Sequence, residues 1–377
     1  MNFVRTSLIL LATSAAARAA DPFAGVETRA AASPAPAAAG GWADNFLFRK
    51  EVYLFWAAGK DNFEETDRAY SRLSAGFEIQ KKFSTATKTV ASLDYQGRWA
   101  YRDHALATAA DAMGMDAERW TYETHNAYAE FYNLLGDPGR LSLRAGRFYL
   151  PFGLNSQTDT HGTLLQLSND RLFGADRDWQ ITAYGNASEH LDYLAGYVFG
   201  AGPDQKLDGQ AGMAVGRIGL NSDYLYARGL EAGVSGAYGE RIDPQAGLDG
   251  PIRTWRLGAD LRKRLDSGIG PFTLTGEAAA GEDEDATVWS GLAQADWLLP
   301  SRRWGAAAQY AYFEREPAGH GHGGGIVERA SATLTRYFRN DVGNAALHWI
   351  ALGLEKQIQT PDGGEDTLAM VQYYRYW

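Results

Sequence analysis

The segment TKTVASLDYQGRWAYR, residues 87–102, alternates apolar and polar side chains along its whole length. One face carries Thr87, Thr89, Ala91, Leu93, Tyr95, Trp99 and Tyr101; the other carries Lys88, Ser92, Asp94, Gln96, Arg98 and Arg102. Successive side chains of a β-strand point to opposite faces, so a period of two defines a strand with two unlike environments. A soluble sandwich alternates as well, but its strands usually run to about 5–6 residues. Here there are sixteen residues, and full charges crowd the polar face.

Fifteen further segments show the same period. The set is 46–57, 70–83, 86–102, 119–134, 140–150, 177–186, 190–200, 211–221, 228–239, 252–264, 271–281, 287–298, 303–314, 326–339, 345–358 and 367–377. Tight connections such as 136–139, 266–270 and 299–302 alternate with longer ones at 103–118, 151–176, 240–251 and 315–325. An even number of long strands, short turns at one end and long loops at the other describe an all-β fold. It is a transmembrane antiparallel β-barrel of about 16 strands, with short periplasmic turns and long extracellular loops. Closure satisfies every backbone polar group, so one face can meet lipid while water fills the other. Leu93 and Leu257 are expected on the lipid face, Asp94 and Arg256 on the lumen face. Trp99, Tyr101, Trp120, Tyr122, Trp179, Trp255 and Trp289 fall at the long-loop ends, and Trp297, Trp304 and Trp377 at the other, as two interfacial belts require. Arg375 leaves the phase of the last strand open.

Arg5, the apolar stretch TSLILLATSAA and Ala17-Arg18-Ala19 together form a signal peptide, expected to be cleaved at about residue 19. Its removal takes the formal charge from −10 to about −12 by deleting Arg5 and Arg18. An Ala/Pro/Gly-rich flexible linker follows over 20–44, with the barrel over 45–377. The acidic balance argues against nucleic acid as a partner. The absence of cysteine excludes disulfides, thiolate catalysis and Cys-x-x-Cys-His haem attachment. No run approaches the ~18 apolar residues of a membrane-spanning helix.

Residues 140–167, RLSLRAGRFYLPFGLNSQTDTHGTLLQL, place arginines along one strand face and leucines in the loop that follows. Within it, LRAGRFYLPFGL resembles the strand end of the phosphate-selective porin O/P family, where a Gly-Arg/Asn-Phe-x-x-Pro-Phe-Gly strand end leads into the third extracellular loop. The resemblance covers Arg144 to about Trp179; elsewhere only the barrel pattern is shared. It implies a diffusion channel whose third and longest loop, here 151–176, folds inward and narrows the pore. Leu164, Leu165 and Leu167 would then pack on the inner wall. Asp159, His161, Asp170, Arg171, Asp176, Arg177 and Asp178 would line the constriction. The alternative is a compact external loop at a subunit contact. The segment departs from the family in containing no lysine, so phosphate selectivity does not follow. Lys88, Arg98, Arg102, Arg140, Arg144, Arg217, Arg256 and Arg262 are the candidate pore-wall cations, capable of a mild anion preference.

Other constellations are weaker. His320 and His322 in HGHGGG lack neighbouring carboxylates and read as a solvated loop tip rather than a metal site. GEDEDA, 281–286, reads as an acidic outer loop that solubilises the rim or holds divalent cations bridging to lipopolysaccharide. No Ser/His/Asp set has positional support, so no enzyme activity, cofactor or metal is expected. No plug-like domain is expected before the first strand, unlike a TonB-dependent transporter. The expected partners are outer-membrane lipid, lipopolysaccharide, the barrel-assembly machinery that reads a terminal aromatic residue, and two further copies in a homotrimer. The competing function is a barrel sheath around a multihaem cytochrome, periplasmic or membrane-crossing, which would supply all the haem.

Overall fold

The computed structural model describes residues 45–59, 69–86, 88–102, 120–136, 139–154, 164–165, 177–199, 211–220, 229–241, 251–316, 325–341, 346–359 and 365–377. The signal peptide and linker expected over 1–44 lie outside them, as do His320 and His322.

Sixteen strands follow one another: β1 (Phe46–Gly59), β2 (Tyr70–Ser84), β3 (Thr89–Arg102), β4 (Trp120–Phe131), β5 (Ser142–Tyr149), β6 (Arg177–Asn186), β7 (Leu191–Val198) and β8 (Gly212–Leu220). They continue as β9 (Leu230–Arg241), β10 (Ile252–Leu265), β11 (Phe272–Asp283), β12 (Ala286–Leu298), β13 (Trp304–Arg315), β14 (Gly325–Asp341), β15 (Ala346–Gln359) and β16 (Asp366–Tyr376). Each pairs antiparallel with its sequence neighbours, and β1 closes on β16 with Glu51 opposite Tyr376 and Tyr53 opposite Tyr374. Closure leaves no unpaired edge, the condition for a sheet to cross a membrane. The chain is a transmembrane antiparallel β-barrel.

Register carries the alternation around the wall. Leu93 and Leu257 face outward, 49% and 65% exposed, whereas Asp94 and Arg256 face inward, 4% and 2% exposed. Outward Trp99, Trp120, Trp255 and Trp289 ring the long-loop end, and Trp304 and Trp377 the other. Trp349 departs from this pattern: it faces inward, stacked on Tyr374 with centroids 4.4 Å apart. The phase of β16 is also fixed. Leu368, Met370, Gln372, Tyr374 and Tyr376 face inward, and Arg375 faces outward with its guanidinium over the Trp377 ring.

One expected loop is not a loop. The acidic stretch 281–286 is the end of β11, a two-residue turn at Glu284 and Asp285, and the start of β12. Glu284 takes the left-handed conformation, φ 55°, that such a tight hairpin needs. Alternation then sends Asp283 into the barrel and Glu282 outward to the indole N–H of Trp255. At the long-loop end, β11 and β12 are therefore joined by only two residues.

Candidate functional site: the barrel interior

The inner wall is a mosaic of ion pairs. Arg98 Nε donates to Glu123 at 2.6 Å and Arg144 Nη2 to Glu130 at 2.8 Å. Arg217 grips Asp260 with Nε at 2.9 Å and Nη2 at 2.7 Å. Arg256 Nη2 meets Asp283 at 2.7 Å, Arg329 Nη1 meets Glu355 at 3.2 Å, and Arg262 pairs with Glu231. Each pair joins adjacent or next-adjacent strands on the inward register, so the cations are neutralised locally. Just beyond β4, burial and the nearby Glu130 carboxylate push the Tyr132 phenol above its ordinary range, and it donates to Glu130 at 2.6 Å.

The candidate wall cations divide accordingly. Arg98, Arg144, Arg217, Arg256 and Arg262 face the lumen, and Arg102 ends β3 paired with Arg72 of β2. Two candidates do not belong to the wall. Arg140 precedes β5 in the exposed turn, where its carbonyl accepts from Tyr193, because the chain does not pair with β4 until Leu143. Lys88 closes the turn between β2 and β3 with its carbonyl accepting from Thr85 N–H at 2.8 Å.

Of the candidate constriction residues, Asp159, His161, Asp170, Arg171 and Asp176 lie outside the described residues. Asp178 is buried on the inward face of β6. Arg177 is a correction. As its neighbour in a strand it points the other way, and its guanidinium lies on the Tyr149 ring, 3.8 Å from the centroid.

Two apolar patches interrupt the polar inner wall. Leu150, Phe152, Val198, Met213, Val215 and Ala237 form the first, spanning β7 to β9 with Ala279 of β11 packed against it. Phe55, Ala57, Tyr70, Leu368, Met370, Trp349 and Tyr374 belong to the second, across β15, β16, β1 and β2. Both are covered by the segment that follows β5. After Leu150 the chain turns tightly at Pro151, with Phe152 N–H donating to the Leu150 carbonyl at 2.8 Å, and Gly153 takes φ 58°. Gly153 N–H then donates to Ser235 Oγ at 2.9 Å on β9, and Leu154 N–H to Glu277 Oε1 at 2.7 Å on β11. Phe152 lies against Gly258 of β10. Leu164 rests on the second patch, against Gly353 and Met370, and Leu165 is buried. Leu167 lies outside the described residues.

The segment thus leaves at β5 and touches the inner wall near β10 and again near β15, which divide the sixteen strands into near thirds. The leucines announced this in sequence. The seats of the segment, Gly258 for Phe152, Ser235 for Gly153, Glu277 for Leu154 and Gly353 for Leu164, carry no local signal.

No family model matches the chain, and no curated protein matches it. Solved structures do. OmpF of Salmonella typhi, in complex with daunomycin, aligns over 88% of this chain and 97% of its own at 13% identity, TM-score 0.56. OprB of Pseudomonas putida aligns over 88% and 94% at 9% identity, TM-score 0.56. The anion-selective porin from Comamonas acidovorans aligns over 88% and 99% at 12% identity, TM-score 0.54. At these identities the likeness is one of fold.

Proposed function

We propose that the chain is an outer-membrane porin, a water-filled channel for passive diffusion of small hydrophilic solutes, with no reaction chemistry. It is exported by the signal peptide, works as a homotrimer, and is oriented with its short turns in the periplasm. Residues 151–176 form its constriction. One observation carries this proposal: the apolar interruptions of a polar inner wall are both covered by the segment after β5, at points five strands apart. In this proposal the chain between those two anchors crosses the lumen. The porin fold of the solved structures supports the same function, as does the local resemblance to the phosphate-selective O/P family. Phosphate selectivity is not part of the proposal, since 151–176 has no lysine and the wall arginines are paired. The sheath around a multihaem cytochrome loses ground, because Phe152, Leu154 and Leu164 of the protein's own chain already lie against the inner wall.

Single-channel recording in planar bilayers tests this. The full chain should conduct, and deletion of Gly162 to Phe173 should raise conductance severalfold with the barrel still assembled. Unchanged conductance would place the loop outside the pore, and a barrel silent in both forms would refute the channel.

A further inference from the structure

The lipid-facing wall carries charge at both ends, and the two ends differ in sign. At the long-loop end, outward carboxylates are held by outward aromatic side chains. Glu282 accepts from Trp255 Nε1 at 3.0 Å, Glu314 from the Tyr312 hydroxyl at 2.6 Å, and Glu328 from Tyr310. At the short-turn end, outward guanidiniums lie on aromatic rings instead. That of Arg336 is 5.0 Å from the centroid of Trp304, and that of Arg375 is 4.5 Å from the centroid of Trp377. A second cation joins Arg375 where β16 closes on β1. Trp377 exchanges both backbone hydrogen bonds with Lys50, at 2.9 and 3.0 Å, and Arg375 pairs with Val52. Lys50 and Arg375 are therefore diagonal neighbours on the outward face, with Cα atoms about 7–8 Å apart. Both are exposed. Unlike Arg98, Arg144 and Arg217 of the inner wall, neither is in an ion pair among the described residues. Their outward neighbours Phe48, Phe77 and Tyr373 bring no negative charge.

We propose that Lys50, Arg375 and Trp377 bind the headgroup of an anionic glycerophospholipid from the leaflet at the short-turn end. Two like charges side by side repel, and a phosphodiester between them turns that repulsion into two attractions. A guanidinium stacked on an indole keeps its edge N–H groups free for forked, charge-assisted bonds to phosphate, and the lysine adds a point charge. Basic residues where a protein leaves the bilayer attract anionic lipid in this way. The wall above the cations suits the rest of the molecule: Val52, Leu54 and Val371 continue the outward face toward the middle of the barrel, as acyl chains require. A free phosphate would leave that apolar track unused, so the lipid is the better match. Assigning the leaflet to the periplasmic side rests on the orientation proposed above; the ability to bind does not.

The test is native mass spectrometry of the full-length barrel in detergent, titrated with dimyristoyl phosphatidylglycerol and, separately, with zwitterionic dimyristoyl phosphatidylcholine. The wild type should prefer phosphatidylglycerol. K50Q and R375Q should each weaken its binding about fivefold, the worth of one basic residue at an anionic lipid surface. R253Q removes an exposed cation at the long-loop end and should change nothing, which separates a site from general charge attraction. Unchanged heat-modified gel mobility confirms assembly, and R375K, which keeps the charge and loses the fork, serves if R375Q does not assemble. Equal affinity in the wild type and the K50Q/R375Q double variant, or no lipid preference in the wild type, overturns the site. Displacement of the lipid by an equal concentration of inorganic phosphate would make it a free-anion site and overturn the proposal. Dissociation of an oligomer in R375Q at unchanged lipid affinity would assign this face to a second copy of the chain, with the same consequence. Lipid binding as expected in a barrel whose short turns are cleaved by protease on intact cells refutes the orientation alone.

Discussion

Phe152 and Gly258 are fitted to one another: a methyl group built at Gly258 would lie 2.7 Å from the ring carbon Cζ of Phe152. The same relation recurs at the second contact, where a methyl group at Gly353 would lie 3.1 Å from Leu164 Cδ1. Small wall residues occur where the loop presses hardest. Gly258→Val should therefore dislodge Phe152 while leaving the β10 ladder intact, since valine suits a strand. Single-channel conductance should rise or become noisy at unchanged heat-modified gel mobility. Conductance identical to wild type would mean that Phe152 does not hold the loop in the pore.

Arg217 and Asp260 are 1% and 0% exposed, joined by two short hydrogen bonds across next-adjacent strands. Breaking a buried pair by removing one partner costs about 3–5 kcal/mol, because the remaining charge is stranded. Asp192, 3.6 Å from Arg217 Nη1, relieves part of that cost. Asp260→Ala should lower stability toward the bottom of this range in urea titrations of the barrel, and Asp192→Ala combined with it should lower stability further. Equal stability of the single and double variants would show that Asp192 contributes nothing.

The wall was legible in sequence because alternation is a local signal, repeated sixteen times with loop lengths that agree. Phase was equally legible: once 177–186 is a strand, Arg177 and Asp178 cannot share a face, and assigning both to the constriction ignored that rule. The turn at Glu284 was hidden because it lacks the usual Asn-Gly or Asp-Gly signature, and four acidic residues there read as a solvated loop. Arg241, Arg256 and Arg315 reach Asp283 from β9, β10 and β13, and only strand register brings them to it. The glycine seats were illegible for the same reason.

Leu257 lies near the middle of β10 on the outward face. Leu257→Arg should cost about 2–4 kcal/mol at the bilayer midplane, falling toward zero near the interface. Arg256→Leu should also destabilise, since it removes the closest charge partner of Asp283 and a donor to the carbonyls of Trp255 and Glu282. Lipid thickness separates the two. In short-chain lipid the Leu257→Arg penalty should shrink, and the Arg256→Leu penalty should not. Parallel responses would mean that the face assignment of β10 is wrong.

Ion preference follows from which pairs solvent can reach. Arg98 and Glu123 are partly exposed, 22% and 23% by side chain, unlike the buried pairs. Glu123→Gln leaves Arg98 hydrated rather than stranded, so it should change the field in the lumen with little effect on stability. His125, whose Nε2 lies 3.5 Å from the same carboxylate, also loses its acidic neighbour. The zero-current potential in a salt gradient should move toward anions, because a wall balanced by pairing gains one uncompensated positive charge. The shift should be largest in dilute salt. The Debye length falls from about 10 Å at 0.1 M to about 3 Å at 1 M, so a single wall charge then reaches only ions that brush past it. Asp260→Asn should give no comparable shift, because Arg217 is sealed from the water that ions cross. A shift equal in the two variants, or one that persists undiminished at 1 M, would show that selectivity is set by something other than the solvent-accessible pairs of the wall.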